Sequence, residues 1–288
     1  MKLKSFGKIN LFLDVTGRLQ NGYHIIKTVM QSVDIYDEIS LVPIDTNEII
    51  IECSDSSIPE NEKNTCFKAA SILKKTYDIN TGILISINKN IPQEAGMAGG
   101  SSNAAAVLNG LNAMWKLDLS RGELCRFGAQ VGADVPFCLV GGTCLAEGIG
   151  DKITELNDFQ WNNILTVKPE FSISTAFVYE NLDSRHYNSY VSEDILKHIS
   201  SYSYEKAAGC VANTLEKAVA EFYPEINNIK KLMIDNGAIS SLMTGSGSAV
   251  IGFFKDGDSL NKALKIAAEI YPYVRKVKTV KDGVKFID

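Results

Sequence analysis

The chain has 288 residues, 45% of them hydrophobic, which is enough for one large or two modest domains with a substantial core. Its formal net charge of −5, with no Lys/Arg-rich block, argues against a general nucleic-acid or membrane surface. No apolar run is long enough to span a bilayer, and Met1-Lys-Leu-Lys4 passes straight into a strand-like segment instead of a leader, so a cytoplasmic chain is expected. The six cysteines form no Cys-x-x-Cys pair and histidines number only three, so a zinc site is not expected and free, buried thiols fit a reducing compartment.

In chain order, residues 2–15 alternate loosely, with Leu3, Phe6, Ile9, Leu11 and Leu13 as apolar members, and predict a strand. A turn is expected at 17–22, where Asn21-Gly22 is the strongest local signal, and further strands at 28–33, 37–42 and 48–52. The N-terminal part thus opens as antiparallel β structure. Residues 64–77 predict a helix with an Asn/Thr start, 82–88 a strand, and 104–117 a helix with Ala104, Leu108, Leu111 and Trp115 on one face. Gly110 inside that helix costs ~1 kcal/mol relative to alanine, a loss that close packing would offset. A helix is expected at 123–131, a strand at 137–147 and a turn at 148–151. Beyond a strand at 163–168, helices dominate near 191–200, 213–222, 224–236 and 258–271, the last with a Leu260, Ala263, Leu264, Ala267 stripe. Strands at 239–243, 249–254 and 274–277 complete the pattern, which reads as α+β in two lobes, 1–158 and 159–288.

Between the strand at 82–88 and the helix beginning at Ala104 lies Pro92-Gln-Glu-Ala-Gly-Met-Ala-Gly-Gly-Ser-Ser-Asn103. Gly96, Gly99 and Gly100 let backbone N–H groups converge, and Ser101 or Ser102 can cap the helix, whose free N–H groups face the same point. Strand, glycine loop and helix N-terminus together make a phosphate cradle. It is neither a Walker loop, since no Gly-Lys-Ser/Thr ends it, nor a Rossmann fingerprint. Taken alone, the loop is equally compatible with a serine-capped turn.

Two more stretches carry chemistry. Asp134, in Gly132-Ala-Asp-Val-Pro-Phe137, sits among small and apolar residues where a partly desolvated carboxylate can serve as a base toward an alcohol; its plain alternative is a turn-forming Asp. Lys8 and Asn10 share one face of the first strand by its period of two. A strand lysine usually faces solvent, but beside a phosphate cradle it can polarise a hydroxyl and neutralise transferred charge.

The ordered set Lys8-Ile-Asn-Leu11, Gly96-Met-Ala-Gly-Gly-Ser-Ser102 and Gly245-Ser-Gly247 resembles the three motifs of the GHMP kinase superfamily. Asn21-Gly-Tyr-His24, Gly132–Phe137 and Met243–Gly247 extend the likeness over essentially the whole chain. They point to the branch that phosphorylates a cytidine-diphosphate-linked methylerythritol at its 2-hydroxyl, an isoprenoid precursor. The resemblance implies a two-lobed fold: an N-terminal lobe like domain 2 of ribosomal protein S5 and a C-terminal ferredoxin-like α/β lobe. It implies ATP and Mg²⁺ as cofactors, with no metal ligand assigned, and a monomer or homodimer binding neither nucleic acid nor membrane. Asp134 matches the catalytic base and Lys8 the lysine that positions it. Pro92, Glu94, Ala95, Gly96, Met97, Ala98, Gly99, Gly100, Ser101 and Ser102 match the ATP phosphate loop. Asn10, Tyr23, His24, Thr175, Tyr179, Gly245 and Ser246 match the acceptor site, where Tyr23 and Tyr179 would stack on the cytosine with His24 at its edge.

The chain departs from the family at four places. Asn103 and Thr214 stand where the family generally has Asp, Ala98 where glycine is frequent, and Gly7 where alanine is usual. The alternatives are another small-molecule GHMP kinase, of the homoserine or mevalonate type, and a non-catalytic nucleotide-binding protein on the same fold.

Overall fold

Two β-sheets and the helices packed on them make up residues 1–287, the part of the chain described by this computed structural model. The larger sheet grows from an antiparallel ribbon, β1 (Lys2–Arg18) and β2 (His24–Ile44), joined through the Asn21-Gly22 turn. The sequence pattern breaks β2 in two, but the strand is continuous. Phe6 and Ser5 of β1 face Tyr36 and Asp37, so the polar stretch has ladder partners that no local pattern announces. On the other side, β4 (Gly82–Asn88) pairs antiparallel with β2, and β3 (Ile49–Cys53) lies parallel to β4 at the edge. β5 (Thr143–Glu147) pairs with β2 and with β6 (Lys152–Glu155).

Four helices cover this sheet. α1 (Thr65–Thr76) is capped by Asn64, whose side chain accepts the Cys66 N–H at 2.8 Å. α2 (Gly99–Met114) starts earlier than its apolar periodicity suggests and presses Ala104, Ala105, Ala106, Leu108 and Leu111, all 0% exposed, onto the sheet. Gly110 is what lets it approach: a Cβ there would run into the side chains of Leu41 and Leu3. α3 (Arg121–Val131) opens with a Ser120/Glu123 capping box. Residues 137–140, the first part of the strand expected at 137–147, belong instead to a short helix, α4 (Val135–Val140). Pro136 is acceptable in a helix's first turn, and an unbroken apolar run does not distinguish strand from buried helix.

The second sheet is antiparallel throughout: β11 (Tyr273–Val277), β7 (Ile164–Lys168), β10 (Val250–Phe254) and β9 (Ala238–Met243) in spatial order. α9 (Glu225–Asp235) and α10 (Gly257–Ala268) pack against it, with Ile226, Ile229, Met233, Leu260, Ala263 and Ala267 buried. Between β7 and β9 run α5 (Thr175–Glu180), α6 (Glu193–Ser200) and α7 (Tyr204–Gly209). The helix expected at 213–222 shrinks to β8 (Ala212–Asn213) and one turn, α8 (Glu216–Val219). Both β8 and the last strand, β12 (Val284–Phe286), pair with β1, so the first sheet takes two strands from beyond residue 158.

Each sheet has its own apolar core, and a third cluster joins them. Ile9, Leu11 and Phe12 of β1, with Ala95 and Met97 of the glycine loop, pack against Leu242, Ile251 and Phe253 of the second sheet. Fully burying such side chains contributes roughly 1.5–3 kcal/mol each, which ties the two sheets together through this seam. Among the described residues no helix is long and apolar enough to cross a membrane.

Candidate active site

The seam opens into a cleft of ≈ 960 Å³, within the size range of small-molecule sites. Lys8 lies at its centre. β1 carries bulges between Phe6 and Lys8 and between Asn10 and Phe12, so the stretch holding Lys8 and Asn10 is re-aimed relative to its neighbours. The Lys8 side chain turns inward, only 5% exposed, and its ammonium donates to Asn10 Oδ1 at 2.7 Å and to the Gly96 carbonyl at 2.8 Å. Asn10 is locked in turn: its N–H donates to Thr244 Oγ1 at 2.9 Å and its Nδ2 to Thr28 Oγ1 at 2.8 Å. The Thr28 hydroxyl donates to the Phe12 carbonyl at 2.6 Å.

Asp134 heads α4 and reaches the same point. Its Oδ2 stands 3.9 Å from Lys8 Nζ, and its side chain, 38% exposed, opens to the cleft. It makes no capping bond to its own helix, which removes the turn-forming role a sequence reader would first assign it.

The glycine loop lies along one wall. Gly96 holds φ +71°, and a Cβ there would overlap the Thr244 carbonyl group, so the loop fits against residues 244–247 only because residue 96 is glycine. The Ser248 N–H donates to the Glu94 carbonyl at 3.1 Å across the same contact. Gly96→Ala is expected to cost about 1–3 kcal/mol of stability and to weaken phosphate binding at the loop, because the added Cβ meets backbone atoms of Thr244. Thermal unfolding with ATP-dependent kinetics checks this, and an unchanged Tm would show that the two loops can part freely.

Several loop residues sit differently from the sequence expectation. Gly99 and Gly100 are already in the first turn of α2, and neither serine caps it: the N-cap position is Ala98, at φ +56°, with no side-chain bond. An alanine in that left-handed region carries about 1–2 kcal/mol of strain. Ser102 faces inward, donating to the Phe6 carbonyl at 2.6 Å, and Met97, 1% exposed, anchors the loop in the shared core. Pro92, Glu94, Ala95, Gly96, Ala98, Gly99, Gly100 and Ser101 line the cleft. The head of α2, with no side-chain cap, thus borders the cleft through Gly99, Gly100 and Ser101, which suits a phosphate.

The two Asp-to-polar departures have one physical cause. The Asn103 amide donates to Asp37 Oδ2 and to Ser5 Oγ, both at 2.8 Å, beneath the first turn of α2. Asp37, 0% exposed, also pairs with Lys89 and accepts the Asn90 and Ile91 N–H groups at 2.6 and 2.8 Å. A carboxylate at 103 would crowd that buried charge. Thr214 likewise donates its hydroxyl to the buried Asp14 carboxylate, where an aspartate would repel it. At Gly7 an added Cβ would meet only ordinary contacts, so space does not require glycine there.

At the other end of the cleft, His24 stacks on Tyr179, with centroids 4.8 Å apart and planes at 26°, while Tyr187 meets the His24 ring edge-on at 5.8 Å. Tyr23 is 61% exposed beside them. Burial, and then the charge of Arg18, lower the His24 imidazole below its ordinary range, so it is neutral at pH 7 with one N–H and one lone pair to offer. Burial first, then the Asp134 carboxylate, push the Tyr179 phenol up and keep it protonated. Thr175 and Ser246 share a hydrogen bond of 2.9 Å between their hydroxyls, and Gly245 lies against Asn10. Sequence reasoning missed Thr28, Thr244 and Tyr187; of these only Thr244 carried a signal, its place inside the Met243–Gly247 motif.

Two family models match this chain, that of the GHMP kinases N terminal domain over residues 64–142 and that of the GHMP kinases C terminal over 198–272. The chain belongs to the GHMP kinases. A 4-diphosphocytidyl-2-C-methyl-D-erythritol kinase of Caldicellulosiruptor bescii is 44% identical to it over 96% of both chains. One of Clostridioides difficile is 41% identical over 99% of this chain and 97% of its own. A crystal structure of 4-(cytidine 5'-diphospho)-2C-methyl-D-erythritol kinase superposes with a TM-score of 0.82 at 26% identity, over 97% of this chain and 98% of that one. A homoserine kinase of Cytophaga hutchinsonii, at TM-score 0.79 and 19% identity over 99% and 96% of the two chains, shares the fold. Within the GHMP kinases, then, this is a member of the 4-diphosphocytidyl-2-C-methyl-D-erythritol kinase family.

Proposed function

We infer that the chain transfers the γ-phosphoryl group of ATP to the 2-hydroxyl of 4-diphosphocytidyl-2-C-methyl-D-erythritol, a step of isoprenoid precursor synthesis. One observation carries this reading: the Lys8–Asp134 pair lies in a single cleft between a glycine loop at one end and an aromatic cluster at the other. ATP binds with its phosphates on the 92–102 loop and the head of α2. The cytosine stacks on the Tyr23/Tyr179 side with neutral His24 at its edge, which puts the methylerythritol part at the centre. Asp134 takes the hydroxyl proton as the oxygen bonds to the γ-phosphorus and the bond to the β,γ-bridging oxygen breaks, releasing ADP. Lys8 steers the carboxylate and the hydroxyl and offsets the charge gathering on the transferred group. Mg²⁺, for which no protein ligand is assigned, would neutralise charge on the triphosphate. A cytoplasmic monomer or homodimer, acting on a small molecule and divided functionally at 158/159, completes the proposal.

The test is ADP release from purified protein with Mg-ATP and the cytidyl alcohol; ATP binding without turnover would sink the reading and favour a non-catalytic role. Tyr23→Ala or Tyr179→Ala should raise KM for the cytidyl alcohol by about 5- to 150-fold, the equivalent of 1–3 kcal/mol of base stacking, and leave KM for ATP nearly unchanged. An unmoved KM in both variants removes stacking from the account.

A further inference from the structure

Behind the acceptor end of the cleft, residues 213–216 form a bracket between the two sheets. Their backbone belongs to the first: Leu13 and Asn213 are paired through β1 and β8, and the Thr214 N–H donates to the Leu13 carbonyl at 2.9 Å. Their side chains hold the second. Asn213, 1% exposed, donates both amide hydrogens, to the Met243 carbonyl at 2.7 Å and to the Gly245 carbonyl at 2.8 Å, and its Oδ1 accepts the Leu215 N–H at 3.0 Å. Glu216 Oε1 accepts the Met243 N–H at 2.6 Å, and its other oxygen pairs with Lys230. Both polar groups of the Met243 backbone are thus gripped by one four-residue segment. The gripped chain leads directly to Thr244, which accepts the Asn10 N–H, and to Gly245 against Asn10 Oδ1, the atom that receives Lys8.

We propose that Asn213 and Glu216 are positioning residues that set the 243–246 loop against β1 and so fix the Lys8–Asn10 end of the cleft. A buried amide that spends both of its N–H hydrogens on two carbonyls of one loop is a rigid spacer, since any shift of the loop strands those groups away from water. Neither Asn213 nor Glu216 lines the cleft, whereas Gly245, Ser246 and the intervening Leu215 do, so these two polar side chains act on catalysis through the backbone they hold.

The turnover arm of the test rests on the kinase reading above; the exchange arm does not. In Asn213→Asp and Glu216→Ala, kcat is expected to fall about 10- to 100-fold, the scale of a misplacement near 1 Å, with KM for ATP within about threefold. Glu216→Gln, which keeps one acceptor oxygen for the Met243 N–H and gives up the charge and the Lys230 pairing, is expected to stay within about threefold of the parent kcat. Hydrogen exchange read by mass spectrometry should speed up at residues 244–248 and not in α1. If Asn213→Asp does not fold, the Glu216 pair decides. A Glu216→Ala protein with parental kcat, or exchange raised uniformly along the chain, overturns the bracket. A parent protein that turns over nothing, alongside variants whose exchange rises only at 244–248, overturns the kinase assignment and supports the bracket.

Discussion

Asp134→Asn is expected to lower kcat by about 10²- to 10⁴-fold, the usual contribution of a general base, while KM for ATP and Tm stay close to the parent values. Two structural facts separate this from an ordinary loss of stability. The Asp134 carboxylate caps nothing, so an amide of the same shape leaves α4 intact. Its charged partner among the described residues is Lys8, at 3.9 Å, and Lys8 keeps two other acceptors. Steady-state ADP release and a melting curve on the same preparation make the measurement. A variant that retains parental kcat would reduce Asp134 to a helix-leading residue and remove it as the base.

Lys8→Met is expected to act on both quantities. Losing a charge-stabilising donor costs about 10²–10³ in kcat. The same change strands Asn10 Oδ1 and the Gly96 carbonyl, each of which loses a charged donor in a largely buried setting, at about 1–3 kcal/mol per group. The Tm should therefore drop, unlike that of Asp134→Asn. Because the two groups would work as a unit, the double variant should be little slower than the worse single one. Losses that multiply would mean that Lys8 and Asp134 serve separate steps.

Much of this site is legible along the chain because its parts are local. The strand at 82–88, the glycine loop and the buried helix after it follow from residue type and spacing, as does the Asn64 cap, and the ordered motifs tie them to a family. Other features are decided by partners distant in sequence. Ala98 is left-handed with no side-chain cap because the loop is pinned by Met97 in the core and by Gly96 against Thr244, contacts that outweigh the preference for a serine cap. Residues 135–140 are helical although their run of apolar residues fits a strand equally well. Asn103 and Thr214 look like losses of charge in the chain, and only the buried Asp37 and Asp14 beside them explain why donors are needed there.

The α+β class, most strands and helices and the glycine loop are readable along the chain, since periodicity, caps and turns act over a few residues, whereas Lys8, Asp134, Tyr23 and Tyr179 stand out through their likeness to the family's ordered motifs. Distant partners, by contrast, decide that β1 with its bulges brings Lys8 to Asp134 and Asn10 to Lys8, that β8 and β12 return to the first sheet, and that Asn213 and Glu216 grip the backbone at 243–245. Those outcomes depend on strand register and on hydrogen bonds between segments far apart in the chain, such as Leu3 opposite Phe286, and no local pattern encodes which of many possible partners a backbone group will meet.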